Sequence, residues 1–253
     1  MRITRTLLPY LVCLLAWAAL TGAARLALGP LLAPDPLTIL GRVGRLAASL
    51  ELFRGLGTTV LRGLLGALLA NLAGVALGAL AGRAAWALRL AGPLVAGIQS
   101  CPPIVWITLV MVWAGTGALV PVAAVFAATV PFAFSTTAQG AMGIPGRLLA
   151  VGRLYGVPRL RTLARVAAPA VLPYYLAGLS TVLATAWKAA AVAEYMGSPD
   201  GAGAAIYWSY SRLDMEDLNA WAFSLIALGL LLESLVITPL RRRAARMTAE
   251  GGA

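Results

Sequence analysis

The chain contains no histidine, one lysine, two cysteines and only nine acidic residues among 253. Without histidine it lacks the usual metal ligand and the side chain that most often serves as a general base near neutral pH. Carboxylates are few as well, so neither a metal site nor His-based catalysis is expected. Cys13 and Cys101 both fall in apolar runs, so they read as packing residues rather than a disulfide or a redox pair. Soluble character is missing too. Charged residues make up 11% of the chain, hydrophobic ones 60%, and the mean hydropathy is +0.86. That composition describes an integral membrane protein with one membrane domain over residues 1–253.

A helix needs about 20 apolar residues to cross a hydrocarbon core about 30 Å thick. Six segments satisfy this: Leu7–Leu28, Thr59–Ala81, Leu90–Trp113, Ala118–Ala138, Val171–Ala193 and Ala220–Leu240. The expected fold class is therefore an all-α membrane protein with six transmembrane helices. Met1–Arg5 is basic, as in a signal peptide, but the apolar run after it is too long for one, so a retained helix is expected.

The net charge of +11 is a topology signal. With both termini in the cytoplasm, the cytoplasmic pieces hold 13 of the 20 basic residues and one acid, Glu250. The outer pieces then hold Arg42, Arg45, Arg54 and Arg212 against seven acids: Asp35, Glu51, Glu194, Asp200, Asp214, Glu216 and Asp217. The positive-inside rule selects this orientation. Arg42, Arg45 and Arg54 run against it, and they lie on an amphipathic stretch, Leu37–Phe53, expected to rest on the outer surface. No aromatic residues interleave with the arginines as a base-stacking surface requires, so nucleic acid is not the partner. Anionic lipid is.

Within the spans, Gly66, Ala70, Gly74, Gly78 and Gly82 put a small residue at every fourth position of the second helix. Such a stripe admits another helix at close range, either within the chain or from a second subunit. Pro102 and Pro103 remove two backbone donors from the third span and kink or break it. Freed carbonyls at membrane depth must find partners or line a wet cavity. Gln99, Ser100, Pro102, Pro103 and Trp106 are thus candidate pathway residues, with simple bending for packing as the other reading. Lys188 lies about 22 Å up the fifth span from Pro173. Either it attracts an anionic solute from the bundle interior, or it snorkels outward to a carboxylate such as Glu194. Glu233 sits two turns before Arg241, and pairing towards the cytoplasmic face accounts for it.

The segment Arg147–Pro169 carries Arg147, Arg153, Arg159, Arg161 and Arg165 and no acid. Its helical spacing up to Tyr155, the breaker Gly156-Val157-Pro158, and a second helical stretch Arg159–Ala168 ending at Pro169 predict two short helices and a sharp turn. A compact basic knob of this kind suits either lipid head groups or docking of a soluble cytoplasmic partner.

This loop resembles the signature of the membrane subunits of binding-protein-dependent ABC importers. That pattern runs Glu-Ala-Ala, three residues, Gly, nine residues, Ile, one residue, Leu-Pro. Here Gly156 is followed at those intervals by Val166 and Ala168-Pro169, while Ala150-Val151-Gly152 stands where Glu-Ala-Ala is expected. The likeness runs over residues 55–240. Thr59–Gly66, Pro102–Trp106, Trp113–Gly117 and Trp187-Lys188 with Ala193-Glu194 are similar to the nitrate, sulfonate and taurine branch.

The resemblance implies a type I importer permease whose coupling loop spans residues 140–170, with a basic cytoplasmic tail over 241–253. It also implies a homodimer in the bacterial inner membrane, ATPase subunits that bind the ATP, and an extracytoplasmic solute-binding protein. The permease itself then needs no cofactor and is not an enzyme. The implied solute is small and anionic. Other solutes, such as pyrimidine or thiamine precursors, and a secondary transporter are the competing readings. A secondary transporter calls for facing intramembrane ionisable pairs or an inverted repeat, and the sequence presents neither.

Overall fold

The computed structural model describes residues 12, 15–23, 25–27, 29, 32, 34–144, 146, 147, 150 and 154–251, and every described element is helical. Part of the expected first span, Leu7–Leu28, lies outside that set; its described part is helical over 15–23 and 25–27. There Trp17 stacks at 4.7 Å on Phe223 of a later helix, which fastens the N-terminal segment to the bundle.

Helix α1 (Pro36–Ala48) is the amphipathic helix. Asp35 caps it by accepting from the Leu37 N–H, and Pro36 pre-sets the first turn. It ends before Leu50, whose φ of 63° breaks the chain direction, and α2 (Glu51–Ala81) begins at the next residue. The surface stretch is therefore shorter than Leu37–Phe53, and the second span starts eight residues before Thr59. Helix α2 is 31 residues long, about 46 Å, which exceeds the hydrocarbon core. Its polar first turns escape a hydropathy reading.

The stripe of small residues on α2 lies against α5 (Leu119–Met142). A Cβ on Gly66 would meet Val125 and the Val122 carbonyl, and one on Gly78 would meet the Phe134 carbonyl at 2.5 Å. The stripe packs within the chain. In hydrocarbon, association depends on such backbone approach because lipid is as apolar as leucine. Helix α5 lies between α2 and α6 (Ala168–Gly197), with Ala67, Val125, Ala133, Val182, Ala186 and Ala190 in their shared core.

The third span is interrupted. Helices α3 (Ala85–Ser100) and α4 (Pro103–Ala114) meet at 92° across Cys101-Pro102. At 16 and 12 residues, neither half reaches across a bilayer alone. The turn Gly115–Gly117 then leads into α5, and the Gly117 N–H donates to the Gly197 carbonyl at 2.8 Å, tying it to the end of α6.

Two prolines that should break helices do not. Pro169 follows a π-turn over Leu163–Ala167, and Pro239 follows one over Glu233–Ile237. In each case the residue before the proline donates five residues back, Ala168 to Leu163 and Thr238 to Glu233. The wider turn moves aside the carbonyl that the proline ring would strike. The expected short helix ending at Pro169 is consequently not separate: Arg159–Thr162, the π-turn and α6 form one helical path.

Beyond α6 come α7 (Ala202–Ser211), α8 (Met215–Leu232), the second π-turn and α9 (Thr238–Gly251). The stretch 194–219, between the expected fifth and sixth spans, is thus the last turn of α6, a short return, α7 and the start of α8. Among the described residues four helices are long and apolar enough to cross a membrane, or five if α3 and α4 make one span.

Candidate functional site

Most of the acidic residues gather at one end of the bundle, and their charges are largely matched there. Arg42 pairs with Asp217, Arg45 with Glu216 at 3.8 Å and Arg25 with Asp35 at 3.2 Å. The hydrogen bond from Arg42 to Asp217 holds the guanidinium above its ordinary pKa. These pairs explain why α1 tolerates arginines at this end: its basic side faces the acids that begin α8.

Below them lies the most strongly constructed polar cluster in the described chain. Arg62, 7% exposed in the span α2, donates from Nη1 to Glu194 Oε1 at 3.0 Å and to the Asp200 carbonyl at 2.8 Å. Its Nη2 donates to Asp200 Oδ1 at 2.6 Å. Glu194 is completely buried in the last turn of α6 and accepts also from Thr59 Oγ1 at 2.6 Å and from the Gly203 N–H at 3.2 Å. Thr59 in turn accepts from the Ala202 N–H at 2.9 Å. The first turn of α7 is therefore capped by side chains of α2 and α6, and a carboxylate sits where its dipole favours negative charge. Gly201 (φ 104°) makes the turn possible, since a side chain there would run into the Glu194 carboxylate.

Sequence reasoning singled out Lys188 and Glu233 as the intramembrane charges and missed Arg62. The signal was present: a lone arginine in the first turn of the Thr59–Ala81 run needs a partner, and intramembrane ionisable residues pair. Glu233 pairs with Arg241 at 3.0 Å, as expected. Lys188 does not reach Glu194, because Arg62 and Thr59 occupy that carboxylate. Its ammonium lies 5.6 Å from the Trp187 ring, on an exposed face of α6 that also carries Thr181, Val192 and Tyr195. No described carboxylate lies within ion-pair distance of it.

At the α3–α4 break, Gln99, Ser100, Pro102 and Pro103 are exposed. Ser100 Oγ donates to the Gly97 carbonyl at 2.9 Å and the Cys101 N–H to that of Ile98, so part of the freed backbone is satisfied locally. Trp106 is half-buried, and its indole N–H has no partner among the described residues.

At the opposite, arginine-rich end stands the elbow. Gly156 takes a φ of 62°, the left-handed conformation a sharp reversal requires. Leu154 and Tyr155 project from it, more than four-fifths exposed. Val157 and Pro158 lead into the helix at Arg159; Arg161, Arg165 and Pro169 are exposed along it, as is Arg147 before the turn. Arg153 lies outside the described residues. The helix after the elbow is continuous with α6 through the π-turn.

A bundle of apolar helices with a basic elbow at one end and polar residues at a sharply bent helix pair is the architecture of an integral membrane protein. The chain belongs to the family described as the binding-protein-dependent transport system inner membrane component, whose model matches residues 74–246, more than half of its length. It is 27% identical over 145 residues to a putative ABC transporter permease of Methanocaldococcus jannaschii, covering 57% of this chain and 54% of that one. A bicarbonate transport system permease of Synechococcus elongatus is 27% identical over 145 residues, covering 57% and 52%. A riboflavin transport system permease of Chloroflexus aurantiacus is 29% identical over 121 residues, covering 48% and 45%. The chain thus spans about half the length of these relatives. In fold it is similar to a chain of the inward-facing MetNI methionine ABC transporter, with a TM-score of 0.65 at 18% identity, covering 79% of this chain and 98% of that one.

Proposed function

We propose that the chain is the permease subunit of an ATP-driven importer, that two copies form the translocation path, and that the arginine-rich end faces the cytoplasm of a bacterial inner membrane. An ATPase pair grips the elbow around Gly156, and an extracytoplasmic binding protein delivers solute at the acidic end. The permease performs no chemistry of its own; ATP is bound and hydrolysed by the partner.

The observation that carries this reading is the elbow's construction. A glycine-dependent reversal presents Leu154 and Tyr155 outward and is continuous, through a π-turn, with the spanning helix α6. Apolar and aromatic side chains exposed beside arginines suit a protein surface better than water. A nucleotide-driven motion at the elbow tilts α6, and with α6 the helix α5 packed on it. Nucleotide shifts this equilibrium only by holding the two states unequally, so the elbow must stay gripped in both. The Ala150-Val151-Gly152 segment lacks the acid found at that position of the family pattern, so the grip depends on the elbow's apolar tip and arginines.

For the solute, the reading is a small anionic solute of the sulfonate, nitrate or taurine kind. Lys188 is the supporting residue: an exposed cation on a spanning helix with no described acid beside it. Gln99, Ser100 and Trp106 supply polar groups at the broken span for the same path. The test is co-purification of the chain with a candidate ABC ATPase subunit. Wild-type chain retains the ATPase and shows solute-stimulated hydrolysis, whereas loss of both from wild-type preparations contradicts the proposal.

A further inference from the structure

After Gly197 the chain doubles back. Gly203 lies against the Ala191 carbonyl and the Tyr207 ring sits 5.5 Å from that of Tyr195, so α7 runs alongside the final turns of α6 and in the same direction. The return segment 198–201 has to re-enter the bundle to allow this, and it ends at the Arg62 cluster. An open cleft of about 610 Å³ lies above it, lined in part by Arg54, Thr58, Asp200, Gly201 and Trp208. Arg62 is shared between two unlike carboxylates. Glu194 is fully buried and held by three donors, while the Asp200 side chain is 65% exposed and lines the cleft.

We propose that Arg62 and Glu194 are positioning residues that seat α7 as a fixed wall at the acidic end of the transport path, and that Asp200 is an exchangeable carboxylate on the outer half of the same guanidinium. Glu194 binds permanently, because leaving would bury an unpaired cation and uncap α7 together. Asp200 departs at small cost, because water in the cleft receives it. Arg62 Nη2, left without its partner just beneath the cleft, is then ready for another carboxylate or a similar oxyanion that enters through the place Asp200 held. The seat of α7 is therefore sensitive to anions arriving at this end, although the protein's own acid normally fills the position. The importance for transport rests on the permease reading; the seating itself does not.

The test uses the full chain in proteoliposomes with Cys13→Ala and Cys101→Ala, and a thiol introduced as Ala204→Cys, a position 1% exposed beneath the return segment. The rate of modification by a small methanethiosulfonate reagent reports unseating of α7, with Arg54→Cys at the cleft as an exposed reference. Asp200→Ala is expected to raise the rate at position 204 several-fold, up to about fivefold, the factor matching an ion pair with one solvent-exposed partner. Sodium acetate is expected to return it towards the parental rate, where equimolar chloride does not. Glu194→Gln is expected to raise the rate too, but without rescue by acetate, since that position has no access to the cleft. Unchanged rates in Asp200→Ala, or equal effects of acetate and chloride, overturn the proposal. No ATPase or solute enters the assay, so its failure leaves the importer reading to its own test.

Discussion

Removing Glu194 is the perturbation with the largest consequence that the structure permits us to work out. Its carboxylate accepts from Thr59, Arg62 and the Gly203 N–H, all away from water. In Glu194→Ala the guanidinium of Arg62 keeps only Asp200, and α7 loses a cap. Breaking one side of a buried ion pair costs roughly 3–5 kcal/mol, a large part of a total stability on the order of 5–15 kcal/mol. Asp200→Asn removes a charge that water already screens, so about 0–1 kcal/mol is expected. Glu194→Gln retains an acceptor and falls between, near 1.5–3 kcal/mol for weakened bonds to a charged group. The assay is denaturant titration of the purified chain in dodecyl maltoside, followed by tryptophan fluorescence; Trp187 and Trp221 both lie near the affected helices. The expected order of destabilisation is Glu194→Ala, then Glu194→Gln, then Asp200→Asn. If Glu194→Ala unfolds within about 0.5 kcal/mol of the parent, the range of an ordinary surface substitution, the cluster does not hold these helices together.

Other outcomes follow from close packing, the elbow and Lys188. Gly78→Val is expected to cost roughly 3 kcal/mol or more by driving a side chain into the Phe134 carbonyl, whereas Gly92→Ala, with open space around it, should be neutral or stabilising by up to about 1 kcal/mol; thermal unfolding of the two side by side checks this. Gly156→Val strains the elbow by about 1–2 kcal/mol and should abolish nucleotide coupling while membrane insertion, measured by fractionation, stays intact. Lys188→Glu should impair uptake of an anionic solute and Lys188→Arg should retain it; equal uptake in both removes the lysine from the path.

Much of the architecture was legible because hydropathy and small-residue spacing act locally. The α2 stripe, the Pro102-Pro103 interruption and the amphipathic helix at Pro36–Ala48 all follow from neighbours within a few turns. Span ends were less legible. Residues 51–58 carry charge and look like surface, yet they belong to the same rigid helix as Thr59. Pro169 reads as a terminator unless the π-turn before it is known, and such a turn has no strong sequence mark. The Arg62 cluster was missed for a different reason. Its partners lie 132 and 138 residues away, and Glu194 by itself looks like one more acid in an outer loop. A single charge inside an apolar run still announces that a partner exists, and a complete census of charges within the spans would have put Arg62 beside Lys188 and Glu233. The elbow was read from Gly156 and its arginines, with Arg153 falling outside the described residues.

The central claim is that a nucleotide-driven subunit in the cytoplasm grips the elbow. Its most direct measurement is modification of Tyr155→Cys, in a chain otherwise free of cysteine, by a membrane-impermeant maleimide in right-side-out and inside-out vesicles. The account predicts labelling from the inside-out face alone, and protection when the ATPase subunit is bound. Labelling from the right-side-out face, or no protection by bound ATPase, contradicts it.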